Sequence, residues 1–167
     1  MSAVAALLQH APQTLRILAA SGQLGYGIPA DALAAGVARK PHFIGCDMGS
    51  IDPGPAYLGS GELATSPEVT RRDLSLVLRA ARSLDVPLII GSAGTAGAAP
   101  HLHATLQMIR EIAREHGLHF RLASIAADVS ADRVGRALQA GELQALGGKL
   151  PVAQTDLDAC THLVAQM

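Results

Sequence analysis

The sequence predicts an α/β protein, a Rossmann-like three-layer domain with a mainly parallel, doubly wound sheet. Two observations lead there. Short stretches rich in branched apolar residues alternate with stretches of helical period in the order β-α-β-α-β-α-β-α. Glycine-rich loops follow the first three of these strands, as they do at the ligand-binding edge of open parallel sheets. The chain of 167 residues, 49% hydrophobic and 16% charged, suits one domain with its own core and excludes intrinsic disorder.

In chain order, residues 1–14 are an N-terminal extension, 15–146 the α/β domain, and 147–167 a linker with a C-terminal helix. Residues 15–19 read as the first strand, 29–39 as a crossover helix and 42–46 as the second strand. Pro67 stands where a first helical turn tolerates proline, with Ser66 before it as candidate cap. From there Leu74, Val77, Leu78, Ala81 and Leu84 form an apolar stripe opposite Arg71, Ser75, Arg79 and Arg82, which predicts a helix covering the sheet.

Residues 87–90 are the third strand. Pro100 opens the next helix, striped by Leu102, Leu106, Ile109 and Ala113 and ended by Gly117. Residues 119–126 read as a fourth strand, and 130–140 as a helix capped by Ser130. After Gly147, Gly148 and Pro151, a last amphipathic helix begins at Thr155, Asp156 and Asp158 and runs to Met167. Its apolar Leu157, Leu163 and Val164 predict packing on a partner, either another copy of the chain or a chain supplying a second domain.

Composition narrows the function. Lys and Arg total 13 against 14 Asp and Glu, a net charge of -1, so no basic excess exists to neutralise a phosphate backbone. Two Phe, two Tyr and no Trp leave few platforms for stacking bases, and nucleic acid is excluded as a partner. No apolar run reaches the roughly 18 residues of a membrane span, and residues 4–8 are too short and lack the basic flank of a secretory signal. A cytoplasmic location with Cys46 and Cys160 reduced is expected.

Ten of the 17 glycines lie in three loops that should meet at the carboxyl edge of the sheet. The first contains Gly22, Gly25, Tyr26 and Gly27; the second spans Asp47 to Ser66; the third carries Gly91, Ser92, Gly94, Thr95 and Gly97 and leads into Pro100. Glycine exposes backbone N–H groups, and the third loop also ends on a helix N-terminus, so a carboxylate or phosphate is the expected ligand. Glycines that only turn the corner are the simpler alternative.

The second loop, near 19 residues, far exceeds the usual βα connection. Asp47 and Asp52 place two carboxylates there as candidate catalytic groups, able to take a proton, hold a hydroxyl or ammonium, or bind a hard cation. A turn at Asp52-Pro53-Gly54 and capping by Asp47 are equally open. Ser50, Gly54 and Tyr57 from this loop join Gly25, Tyr26, Ser92, Gly94, Thr95, Gly97 and His101 as candidate substrate contacts.

Other signals are weaker. His101 and His103 point to different sides of a helix and do not make a zinc pair, although His101 can meet an anion at the helix start. Ser92 lacks the spacing of a triad, Cys46 suits an apolar core, and Asp128 either completes the rim or precedes a helix. Gly22, Gly25 and Gly27 read G-x-x-G-x-G, not the dinucleotide order G-x-G-x-x-G, and no G-x-x-x-x-G-K-[ST] loop is present. No metal ligand set and no particular cofactor is assigned.

The succession Leu24-Gly25-Tyr26-Gly27, Phe43-Ile44-Gly45-Cys46-Asp47, Gly49-Ser50, Asp52-Pro53-Gly54-Pro55, Tyr57-Leu58-Gly59-Ser60-Gly61 and Ile89-Ile90-Gly91-Ser92-Ala93-Gly94 resembles the acyclic terpene utilisation (AtuA-like) family of bacterial proteins. The resemblance covers most of residues 15–135 and matches an amino-terminal portion of longer proteins. It implies a Rossmann-like domain in the catabolism of branched acids or their coenzyme A thioesters. An enzyme, or the ligand-binding half of one, acting on a small carboxylate or acyl-CoA is the expected function. A noncatalytic subunit whose loops shape a surface for another chain is the alternative.

Overall fold

The computed structural model describes residues 3–20, 22–49, 55–148 and 151–165. Its centre is a three-stranded parallel sheet in the order β1-β2-β3, formed by β1 (Ile17–Ala19), β2 (Phe43–Gly49) and β3 (Leu88–Thr95). The strands lie where the apolar runs predict them, with β2 and β3 each extending further into their glycine loops. Around them stand α1 (Ala3–Gln9), α2 (Ala30–Ala38), α3 (Pro55–Ser60), α4 (Pro67–Leu84), α5 (Ala99–Glu115), α6 (Ala131–Gln139) and α7 (Gln154–Asp158).

Register sorts the sheet into two faces, because side chains alternate along each strand and paired residues share a side. Leu18, Ile44 and Leu88 fall in one row, and Cys46 pairs with Ile90 in the next. This face is the core. Helix α4 brings fully buried Leu74 and Val77 to it, and α5 adds Ile109 and Ile112. Fully burying such a side chain stabilises the fold by about 1.5–3 kcal/mol. Helix α4 starts as its sequence demands: Ser66 accepts the N–H of Val69 and Pro67 occupies the first turn.

The opposite face carries Ile17 beside Phe43, then Ala19, Gly45 and Ile89, then Asp47 beside Gly91. Ile17 and Ile89 are each 56% exposed. Parallel sheets ordinarily have both faces covered. Among the described residues, only the Leu18–Ile44 side forms the buried core.

Three expectations change. Residues 119–126 are extended but belong to no ladder, so the sheet has three strands rather than four, and these three do not by themselves display a doubly wound order. The apolar composition of residues 119–126 reports neither pairing nor burial along the whole stretch: Leu118 and Phe120 pack against the core, while Leu122 is 44% and Ile125 72% exposed. The C-terminal helix ends at Asp158. Beyond it Val164 bridges Asp128 in antiparallel fashion, with Val129 donating to the Leu163 carbonyl. The long second loop holds the short helix α3, begun by Pro55, which six residues cannot reveal through periodicity.

A glycine-lined rim as candidate functional site

The three loops converge at the carboxyl edge of the sheet. Leu24 N–H donates to the Asp47 carbonyl at 2.8 Å, which fixes the first loop beside the end of β2. Asp47 pairs with Gly91, and Gly49 pairs with Thr95 across a register shift, so residues 92–94 bulge from β3. A Cβ placed on Gly49 would collide with the Ser92 side chain, which shows how closely the second and third loops approach. Ala64 N–H donates to Thr95 Oγ1 at 3.0 Å, and the far end of the second loop is thereby tied to the bulge.

That bulge is conformationally unusual. Ser92 has φ 47° and Thr95 φ 58°, both in the left-handed region that non-glycine residues seldom occupy. Such strain costs on the order of 1–3 kcal/mol per residue and concentrates at functional sites. Between them Gly94, at φ 78°, cannot be replaced cheaply, since a Cβ there would lie 2.7 Å from the His101 carbonyl oxygen. Ser92 itself is exposed, as is Asp47 at the end of the neighbouring strand.

Each loop is also held by a carboxylate of the chain. Asp73 on α4, fully buried, accepts N–H groups from Gly25 at 3.0 Å, Gly27 at 2.9 Å and Ile28 at 2.9 Å. Arg72 donates to the same carboxylate at 2.9 Å and to the Ile28 carbonyl at 3.1 Å. Asp47 Oδ1 accepts the N–H of Gly49 at 3.0 Å. Asp128 accepts the N–H of Ala99 at 3.1 Å, in the first turn of α5. The backbone donors that glycine spacing exposes at Gly25 and Gly27, and the first one of α5, are thus engaged within the fold.

What remains outward is side-chain chemistry. Tyr26, at the apex of the first loop, is 67% exposed. Tyr57 on α3 is half-buried, and its carbonyl accepts the N–H of Gly61. Gly97 donates its N–H to the Gly94 carbonyl and closes the third loop. His101 is completely buried: Nε2 donates to the Glu62 carbonyl at 3.0 Å, so the ring links α5 to the second loop, while Nδ1 has no partner among the described residues. Ser50, Asp52 and Gly54 lie outside the described residues.

The structure therefore brings Asp47, Tyr26 and Ser92 to one rim, buries Gly94 and Thr95 beneath it, and turns His101 inward as a strut. Asp73 was not among the sequence candidates. Its signal was available: a carboxylate adjoining Leu74 and four residues before Val77, on the apolar stripe of a helix, needs donors to be buried there. Burial pushes the Cys46 thiol up to about 11, in keeping with a core residue. Among the described residues no group of three or more His, Cys, Asp or Glu is arranged to hold a metal ion, and no helix is long and apolar enough to cross a membrane. Comparison with protein-family models, curated proteins and solved structures gives no match.

Proposed function

We propose that this chain is an enzyme, or the ligand-binding half of one, acting on a small carboxylate or acyl-CoA thioester in acyclic terpene or branched-acid catabolism in the cytoplasm. The domain is taken as Rossmann-like, its doubly wound sheet completed by further strands. The observation that carries the reading is the strained bulge at Ser92 and Thr95 beside the exposed carboxylate of Asp47. In this reading Ser92 and the bulge hold the acyl group, and Asp47 orients or deprotonates the reacting centre. The pathway rests on motif resemblance, from Leu24-Gly25-Tyr26-Gly27 to Ile89-Ile90-Gly91-Ser92, and Asp52 keeps its proposed role beside Asp47.

Calorimetric titration with a panel of branched acids and their CoA thioesters tests it. Saturable binding that Asp47→Ala and Ser92→Ala each weaken at least tenfold supports the rim; no saturable response, or one indifferent to both substitutions, rejects it.

The uncovered sheet face favours a second reading, a noncatalytic subunit that docks on a partner chain. Ile17 and Ile89 lie there at 56% exposure each. A chain that turns substrate over alone as a monomer would eliminate it.

A further inference from the structure

We infer that a second ligand site, for an aliphatic chain bearing one carboxylate, lies between α5 and the extended residues 118–124. A groove of about 620 Å3 runs there, lined by the apolar Ile109, Leu118, Phe120 and Leu122 together with Arg110, Arg114, His119 and Ser124. Its volume falls within the range of small-molecule sites, about 300–1,000 Å3. Apolar residues make up most of the lining, and no carboxylate is among it.

The charges of α5 are sorted by side. Glu111 and Glu115 both turn to Arg71 on α4, at 3.2 and 2.6 Å. Arg110 and Arg114 form no ion pair among the described residues; Arg114 gives only its Nε–H, to the Arg110 carbonyl at 3.3 Å. Four residues apart on a helix, the two guanidinium groups are surface neighbours with Cβ atoms about 5–6 Å apart, a spacing that lets one carboxylate take donors from both. An anionic head with an apolar tail complements this groove; a cation or a neutral polar solute does not. Leu122, 44% exposed, is the apolar surface the tail would cover.

The site is independent of the rim. Leu106 and Arg114, which bound the groove along α5, stand roughly 10 and 22 Å beyond Ala99 at 1.5 Å per residue.

Sodium decanoate is the probe, titrated calorimetrically into the full chain, with decyltrimethylammonium as the tail-matched cation. Saturable 1:1 binding of decanoate is expected, at least tenfold tighter than the cation and at least tenfold weakened in the Arg110→Gln/Arg114→Gln double variant. Both arginines are exposed, so the variant should keep the parent melting temperature. Methyl NMR shifts should centre on Ile109 and Leu122 and be unchanged by Ser92→Ala, which separates this site from the rim. Equal affinity for cation and anion, indifference to the double substitution, shifts centred elsewhere, or a dimer that closes the groove against decanoate would each overturn the inference.

Discussion

Asp73 on α4 accepts the backbone N–H of Gly25 at 3.0 Å, joining residues 48 apart in sequence inside the core. The same carboxylate takes Gly27 and Ile28, so one side chain fixes the conformation of the whole first loop. Asp73→Ala leaves these donors without their acceptor and should destabilise the protein by about 3–5 kcal/mol in urea denaturation. Asp73→Asn keeps one acceptor oxygen and should fall between the two. In both variants amide exchange at Gly25, Gly27 and Ile28 should quicken before that of Leu74 or Val77. Uniform exchange across loop and helix would mean that the carboxylate supports the core generally and not the loop.

The left-handed backbone at Ser92 gives an unusual pattern of substitution. Glycine normally weakens a strand by about 0.5–1 kcal/mol, but at φ 47° it also relieves a steric cost of about 1–2 kcal/mol. Ser92→Gly should therefore leave the melting temperature unchanged or raise it. Ser92→Val, β-branched at the same φ, should lower stability by about 1–2 kcal/mol although the position is exposed. Thermal melts of the pair decide the matter; valine tolerated as well as glycine would show that the bulge relaxes and stores no strain.

How far the sequence revealed the fold depends on whether a signal is local. Helices α4 and α5 declare themselves through spacing and strands β1 to β3 through runs of branched apolar residues, and the caps Ser66 and Ser130 act as their residue types imply, Ser130 accepting the N–H of Arg133. Residues 119–126 carry a strand's apolar composition without a strand, because composition cannot supply a hydrogen-bonding partner, and every residue from Arg121 to Ala126 is exposed. Convergence of the loops followed from parallel topology. The fate of their amides did not: Asp73 and Asp128 are remote in sequence from the donors they bind, and only the folded chain shows those donors already engaged.

The two cysteines should differ in chemistry. Cys46 is buried on the core face of β2, with its thiol pushed up to about 11 by burial, while Cys160 is exposed. Iodoacetamide at pH 8 should label Cys160 and spare Cys46 until the protein unfolds. The sign of the pH effect follows. The folded state holds the Cys46 proton more tightly than the unfolded chain, whose thiol titrates near 9. Stability from this group is complete below about pH 9 and declines between 9 and 11, by at most about 1.4 kcal/mol per pH unit. Urea midpoints measured from pH 8 to 11 should slope less in Cys46→Ala than in the parent; matching slopes would assign the alkaline loss to other groups.

The open face of the sheet predicts self-association. Ile17 and Phe43 form one row of this face and Ala19, Gly45 and Ile89 the next, so small residues at Ala19 and Gly45 let a second copy approach the exposed isoleucines. Apolar area removed from water contributes about 25 cal/mol per Å2, so isoleucines left at 56% exposure retain unrealised burial. Sedimentation velocity over rising concentration should show association, and Ile89→Glu should abolish it while shifting monomer stability by no more than about 0.5 kcal/mol. Ile44→Glu, one row away but fully buried on the other face, supplies the contrast, since an unpaired carboxylate there should unfold the chain. If Ile89→Glu lowered the urea midpoint as Ile44→Glu does, the face would already be covered within the monomer. A parent chain that stays monomeric at high concentration would instead assign the face to a different partner.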